Sequence, residues 1–244
     1  MEEPHYPRIE TVGLSGLLVT FAPALEDPAN RAALAFRAAI EAQRPAWVEE
    51  SATSLVSAFF RADLAEIDLE AAQAFLEEML SAQDWFEAPL PQGRKLWRIP
   101  AVFGTDLAPG LEEAADAAGL SPDAAIEELS QTPLRVITIG FAPGQPYLGT
   151  LGPHWDIPRL TGLTPNVPRG ALVAAVRQIC LFSNDTPTGW RHVGQTAFRT
   201  FQPQAAQPFP LSPGDELRFD PIDAAAYKKL LDQGSDGARF EVTA

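Results

Sequence analysis

The sequence predicts two domains: an α+β layer of ferredoxin-like order over residues 1–88, then a mainly-β, closed or nearly closed barrel over residues 89–244. Three observations carry this division. Residues 1–88 hold 16 acids and 5 bases, net −11, whereas residues 89–244 hold 16 and 13, net −3, within a total of −14. Proline divides the opposite way, 5 against 18. Between the two stretches, Ala88-Pro89-Leu90-Pro91-Gln92-Gly93 is the kind of Pro/Gly run that links patterned segments.

The first domain reads as β–α–β–β–α. Gly16–Phe21 is a short apolar run with β-branched and aromatic content, a strand. Asp27-Pro28 opens a helix, since Asp accepts from orphan N–H groups and Pro is tolerated in the first turn; Phe36 and Ile40 lie on its apolar face. Ala46–Glu49 and Ser54–Phe60 are two further strand-like runs. A second helix spans about Asp68 to Gln83, because Leu69, Ala72, Phe75, Leu76, Met79 and Leu80 recur at i, i+3, i+4, i+7 while Glu70, Glu77 and Glu78 lie off that stripe. Two helices with a small antiparallel sheet make a two-layer unit. The Glu49-Glu50 and Glu77-Glu78 pairs read as solvated surface rather than acid/base machinery.

The second domain opens with two helical pieces, about Pro109 to Ala118, stopped by Gly119, and one begun by Ser121-Pro122. Strand-like runs follow at 134–139, 171–176, 180–182, 197–201, 215–219 and 239–242. Many short strands separated by Pro/Gly turns favour a barrel. Gly140–Gly149, directly after a strand, packs three Gly and two Pro into ten residues, a rigid loop through which backbone can approach a ligand. Thr186–Trp190 and Leu211–Asp215 are similar rigid turns.

The 244 residues are 46% hydrophobic and 20% charged, enough for a sizeable core and against wholesale disorder. Such an acidic chain repels phosphate backbones, so no nucleic acid is expected as a partner. No run of 18 apolar residues occurs, so no membrane span is expected. Met1-Glu2-Glu3-Pro4 lacks the basic start of a signal peptide, and Cys180 is alone, which together predict a soluble cytoplasmic protein without an internal disulfide. Cys180, flanked by Ile179 and Leu181, reads as a buried small hydrophobe. His154 and Asp156, at i, i+2 spacing, would share a strand face and could hold a metal, but two ligands without a third leave no metal site evident. His192 reads as a surface histidine.

GFAPGQPYLG (140–149), PR (158–159), VPRGAL (167–172), RQ (177–178), TPTGW (186–190), VGQT (193–196) and LSPGDELRFDPI (211–222) occur in this order, after FGTDLAPGLEEAADAAGLSPDAAIEEL (103–129). On these blocks the chain resembles the family of allophanate hydrolase subunit 1, also called the B-type 5-oxoprolinase family or the sporulation kinase inhibitor family. The resemblance is strong over residues 97–222. It implies that the barrel is cyclophilin-like and that the chain pairs with a second subunit of related fold, and with a third, in an ATP-dependent hydrolase opening the cyclic amide of 5-oxoproline. It equally implies two alternatives, a regulatory protein inhibiting a histidine kinase and the carboxyltransferase half of a biotin-dependent urea or amide carboxylase. The chain departs from the family where Gln145 replaces Phe, where Gly162-Leu163-Thr164 replaces Thr-Pro-Arg, where Ile179-Cys180 replaces Thr-Gly, and where Gln195 replaces Arg.

The kept loops nominate a substrate site. Arg159 and Arg177 would supply charge-assisted hydrogen bonds to an anionic group, and Gln178 could read a carbonyl or amide. Tyr147 donates a hydroxyl or simply packs, and Gly144 and Pro146 shape the loop around it. Trp190 reads as packing rather than a stacking platform. No GxxxxGK[ST] or GxGxxG element is present, so an ATP site would be shared with the partner subunit or be of another kind.

Overall fold

The computed structural model describes residues 5–243 and divides into two compact units, residues 1–92 and 93–244. In the first unit, four strands form an antiparallel sheet: β1 (Arg8–Thr11), β2 (Gly16–Thr20), β3 (Glu50–Ser54) and β4 (Ser57–Arg61), in the order β1-β2-β4-β3. Helix α1 (Asp27–Gln43) connects β2 to β3 and α2 (Leu69–Ser81) follows β4. Leu17 and Val19 of β2 and Ala58 and Phe60 of β4 alternate onto one sheet face. There they share a core with Phe36 and Ile40 of α1 and Ala72 and Leu76 of α2. The α2 side of that core is the stripe its sequence period predicts, and Asp68 caps the helix by accepting from the Ala71 N–H at 3.0 Å.

Two strand expectations in this unit are corrected. Ala46–Glu49 is not a strand: Arg44 ends α1 in the left-handed conformation, Ala46 and Trp47 form a turn closed by the Val48 N–H donating to the Pro45 carbonyl at 3.1 Å, and Trp47 and Val48 pack against the core before β3 begins at Glu50. Ser54–Phe60 is not one strand either. Ser54 pairs with Ser57, so Leu55-Val56 is a two-residue hairpin turn, with Leu55 at φ 55°. Such turns need positive φ and normally advertise it with Asn or Gly, which this one lacks.

The second unit is a seven-stranded mixed barrel. Its strands are β5 (Lys95–Phe103), β6 (Leu134–Ile139), β7 (Pro146–Gly149), β9 (Ala171–Ala175), β10 (Gln178–Leu181), β12 (Arg191–Gln195) and β13 (Glu216–Pro221). The ring runs β6-β13-β5-β12-β9-β10-β7 and closes through β6–β7. Only β5–β13 is parallel. A ribbon of β8 (Thr164–Val167) and β11 (Thr186–Thr188) lies outside the ring, and β14 (Arg239–Val242) pairs the first half of β5. Helices α3 (Leu111–Ala117) and α4 (Pro122–Gln131) precede β6, and α5 (Ala224–Asp232) follows β13. Ile99, Leu134, Leu148, Ile179, Leu181 and Leu217 fill the barrel.

Strand β5 escapes a reading by local pattern because Pro100 interrupts it. The barrel tolerates that proline: β14 pairs residues 95–98 on one edge and β12 pairs residues 102–103, so Pro100 falls in the gap between them. Conversely, residues 197–201 form no strand. The Thr196 hydroxyl accepts from the Phe198 N–H at 3.1 Å and donates to the Pro100 carbonyl at 2.7 Å, a local turn that ends the β12 ladder. No helix among the described residues is long and apolar enough to cross a membrane.

Candidate functional site

The run Ala171–Val176 is apolar at nearly every position, and the barrel explains why: both faces of its strand are covered. Leu172 and Ala174 point into the barrel, while Val173 and Ala175 point outward to a second, smaller core with Val167, Cys180, Phe182 and Trp190. The same alternation places Leu148 and Ile179 inside and Tyr147 and Cys180 outside. Tyr147 and Cys180 are register partners across β7 and β10, so their side chains stand together on the outer face.

A cavity of about 320 Å³ opens on this outer face, walled by Gln145, Tyr147, Arg159, Cys180, Thr186 and Trp190. The Arg159 guanidinium lies over the Trp190 ring, 5.4 Å from its centre. Tyr147 meets that ring edge-on at 6.1 Å. Arg159 is exposed and makes no ion pair among the described residues. Burial raises the Tyr147 hydroxyl above its ordinary value of 10.0, and the adjacent thiol adds to the shift. Burial also pushes the Cys180 thiol well above its ordinary range, partly offset by hydrogen bonding from Gln145 and Tyr147. The thiol therefore stays protonated, as its 1% exposure leads one to expect.

The six nominated residues divide. Tyr147 and Arg159 meet in this cavity. Gly144, at φ 70°, and Pro146 are buried behind it; a side chain at Gly144 would run into the Thr200 carbonyl, so that glycine serves packing. Arg177 sits in the two-residue turn between β9 and β10, where Val176 and Arg177 have φ of 45° and 62°. Hydrogen bonds hold that turn. The Val176 N–H donates to the Ile157 carbonyl at 2.9 Å, the Arg177 N–H to the Trp155 carbonyl at 2.9 Å, and Arg177 Nε to the Leu151 carbonyl at 3.0 Å. Gln178 pairs with Gly149 at the far end of β10, away from the cavity wall. Gln145 and Cys180, not nominated, also line the pocket.

A larger groove of about 680 Å³ lies beyond Trp190, lined by Glu113, Thr164, Arg169, Arg191, His192 and Gln195. His192 is not a surface residue. It is 8% exposed, its Nε2 is 3.1 Å from Gln195 Oε1, and burial lowers its pKa from the ordinary 6.5. Gln195 Nε2 in turn donates to the Arg169 carbonyl at 2.8 Å. Arg191 is committed to Glu113 at 3.2 Å and to the Pro158 carbonyl at 2.6 Å. His154 is not on a strand face with Asp156: it lies in the short 3-10 turn Pro153–Trp155, 2.8 Å from Glu128 Oε2, while Trp155 Nε1 donates to Glu128 Oε1 at 3.0 Å. No group of three or more His, Cys, Asp or Glu side chains that could hold a metal occurs among the described residues.

Residues 7–211 match the family model described as carboxyltransferase domain, subdomain C and D. The chain is 30% identical over 235 residues to a protein of Bacillus subtilis named as a 5-oxoprolinase subunit of the B type, covering 91% of this chain and 97% of that protein. Among solved structures it is similar to TTHA0988, with a TM-score of 0.70 and 26% identity over 86% of this chain; it spans only 40% of that chain's length. The urea carboxylase of Kluyveromyces lactis shares the fold, with a TM-score of 0.72, at 16% identity over 96% of this chain and 24% of that one.

Proposed function

From the premise that this chain belongs to the carboxyltransferase domain family of subdomains C and D, we propose that it is a subunit of an ATP-dependent hydrolase opening the lactam of 5-oxoproline. The observation that carries this reading is the end-to-end likeness to a B-type 5-oxoprolinase subunit, over 97% of that protein. The chain acts with a second subunit of related fold and with a third. Its barrel is of the cyclophilin-like kind, and the N-terminal unit is a ferredoxin-like layer in which β1 occupies the edge next to β2.

The substrate pocket in this reading is the outer-face cavity. Arg159, stacked on Trp190, receives the substrate carboxylate, and Tyr147 offers a hydroxyl kept protonated by its burial. ATP fits this chain poorly by itself. The larger groove has no glycine-rich phosphate loop, and of its two arginines Arg191 is already engaged with Glu113. Nucleotide contacts therefore fall on a face shared with another subunit.

The test is reconstitution. The chain purified with its co-encoded second and third subunits is expected to form glutamate from 5-oxoproline only when ATP and all three proteins are present. Three folded, associated subunits that form no glutamate would sink the reading.

A further inference from the structure

The Gln145 side chain is 1% exposed, yet its Oε1 has no hydrogen-bond partner. A buried carbonyl oxygen left without a donor keeps the full cost of its lost hydration, and native chains rarely leave one so. The backbone of Gln145 is satisfied: its N–H donates to the Ala142 carbonyl at 3.1 Å and its carbonyl accepts from the Gly140 N–H at 3.0 Å. The amide's N–H end faces the Tyr147 hydroxyl and the Cys180 thiol, whose acidity it increases by donating to them. What remains is the carbonyl end, buried and unpartnered on a residue that lines the outer-face cavity. A second group in the same wall is also unmatched: Arg159 carries a charge with no carboxylate beside it among the described residues. Phe141 and Leu163, 80% and 69% exposed, flank the mouth with apolar surface.

We propose that Gln145 Oε1 accepts a hydrogen bond from an N–H of the molecule bound in this cavity while Arg159 takes its carboxylate. The ligand is thus a small acid that must also bear an N–H donor. A cavity of about 320 Å³ suits a molecule of that size. Gln145 is a specificity-determining residue: an analogue lacking the N–H leaves the buried acceptor unpaired and pays its full desolvation. Choosing a lactam acid as the probe rests on the functional reading above; the pairing of donor and acid stands on the cavity.

The experiment titrates the full chain by calorimetry or NMR with three probes: 5-oxoproline, its N-methyl derivative, and the lactone in which oxygen replaces the ring N–H. The wild-type chain should bind the lactam about tenfold or more tightly than either analogue, a gap expected from one unpaired buried acceptor. Gln145→Met should shrink that gap to about twofold, whereas Arg159→Gln should weaken all three probes alike, by about tenfold. Equal binding of the three probes by the wild type, or no binding of any, overturns the proposal without recourse to a variant. So does a lactam preference that survives Gln145→Met. Lactam turnover by the reconstituted complex is read separately. An active complex with no Gln145-dependent preference removes this inference alone. An inactive complex whose subunit still prefers the lactam removes the functional reading alone.

Discussion

The Arg159 guanidinium rests on the face of Trp190, 5.4 Å from the ring centre, while Tyr147 abuts the ring edge at 6.1 Å. The indole thus contacts both a cation and the half-buried Tyr147 ring. The ring holds Arg159 in place without neutralising it, so the charge remains available to an anion arriving from the cavity. Removing the charge while keeping the stem should therefore act on ligand affinity. In the reconstituted enzyme, Arg159→Gln is expected to raise KM about tenfold with little change in the melting temperature, as steady-state kinetics and a thermal melt would show. An unchanged KM would remove Arg159 from the site.

Arg177 is expected to behave differently, because its side chain ties the β9–β10 turn to the Leu151 carbonyl. Arg177→Ala should lower stability by about 1 kcal/mol in denaturant unfolding and leave KM unchanged. The neighbouring Val176, a β-branched residue at φ 45° and partly exposed, is strained there. Val176→Asn should stabilise the chain by up to about 1 kcal/mol, measured by the same unfolding midpoint.

Cys180 should resist thiol reagents in the native chain. Its thiol is buried, and its proton is held well above the ordinary 9.0. Ellman's reagent at neutral pH is expected to modify it only after unfolding; rapid native labelling would contradict the buried placement. The sign for stability follows. The unfolded thiol loses its proton first, so this group favours unfolding as pH rises above 9.0 and is without effect below.

His192 makes the opposite pH dependence. Burial lowers its pKa below 6.5 in the folded chain, so the unfolded chain takes up the proton first as pH falls. The contribution of neutral His192 is complete above 6.5 and is lost as pH drops through 6.5 towards the folded value. Wild type should lose stability over that window more steeply than His192→Gln, by thermal melts across the pH series. Parallel curves would show that His192 is not buried in its neutral form.

Gly144 and Gly170 should be intolerant of any side chain. They have φ of 70° and 81°, and a Cβ on either would collide with backbone, the Thr200 carbonyl for Gly144 and the Thr196 carbonyl for Gly170. Alanine at either position is expected to cost about 2–4 kcal/mol, which a denaturant titration would register. Because Gly144 precedes Gln145, the substitution there should also loosen the cavity wall.

Where a local rule applies, the chain is readable. The stripe through Leu69, Ala72, Leu76 and Leu80, the β-branched run Leu134–Ile139 and the cap at Ser121 each specify an element from neighbouring residues. Lys95–Phe103 is unreadable because Pro100 argues against a strand unless one knows that two different partners meet on either side of it. The turn at Leu55 is unreadable because the hairpin imposes a positive φ on a residue that does not advertise one. The pocket is half readable: Tyr147 and Arg159 stand in marked loops, whereas Gln178 and Arg177 look equally suitable and are directed elsewhere.

By itself the sequence determined helices α1 to α4, the ring strands β6, β9, β10 and β13, and the family, since periodicity, capping and ordered loop motifs act over a few residues at a time; α5, β5, β7 and β12 it left unread. It also placed the acidity: of the net −14, −11 belongs to residues 1–88. Only the tertiary structure decided which polar groups share a site. Barrel closure sets the register of β7 against β10 and brings Tyr147 beside Cys180. It also buries Gln145 with an unpaired oxygen, and leaves Arg159 without a counter-ion among the described residues. Pairing between strands some thirty residues apart depends on hydrogen bonds and core packing across the whole ring, and no local pattern along the chain encodes it.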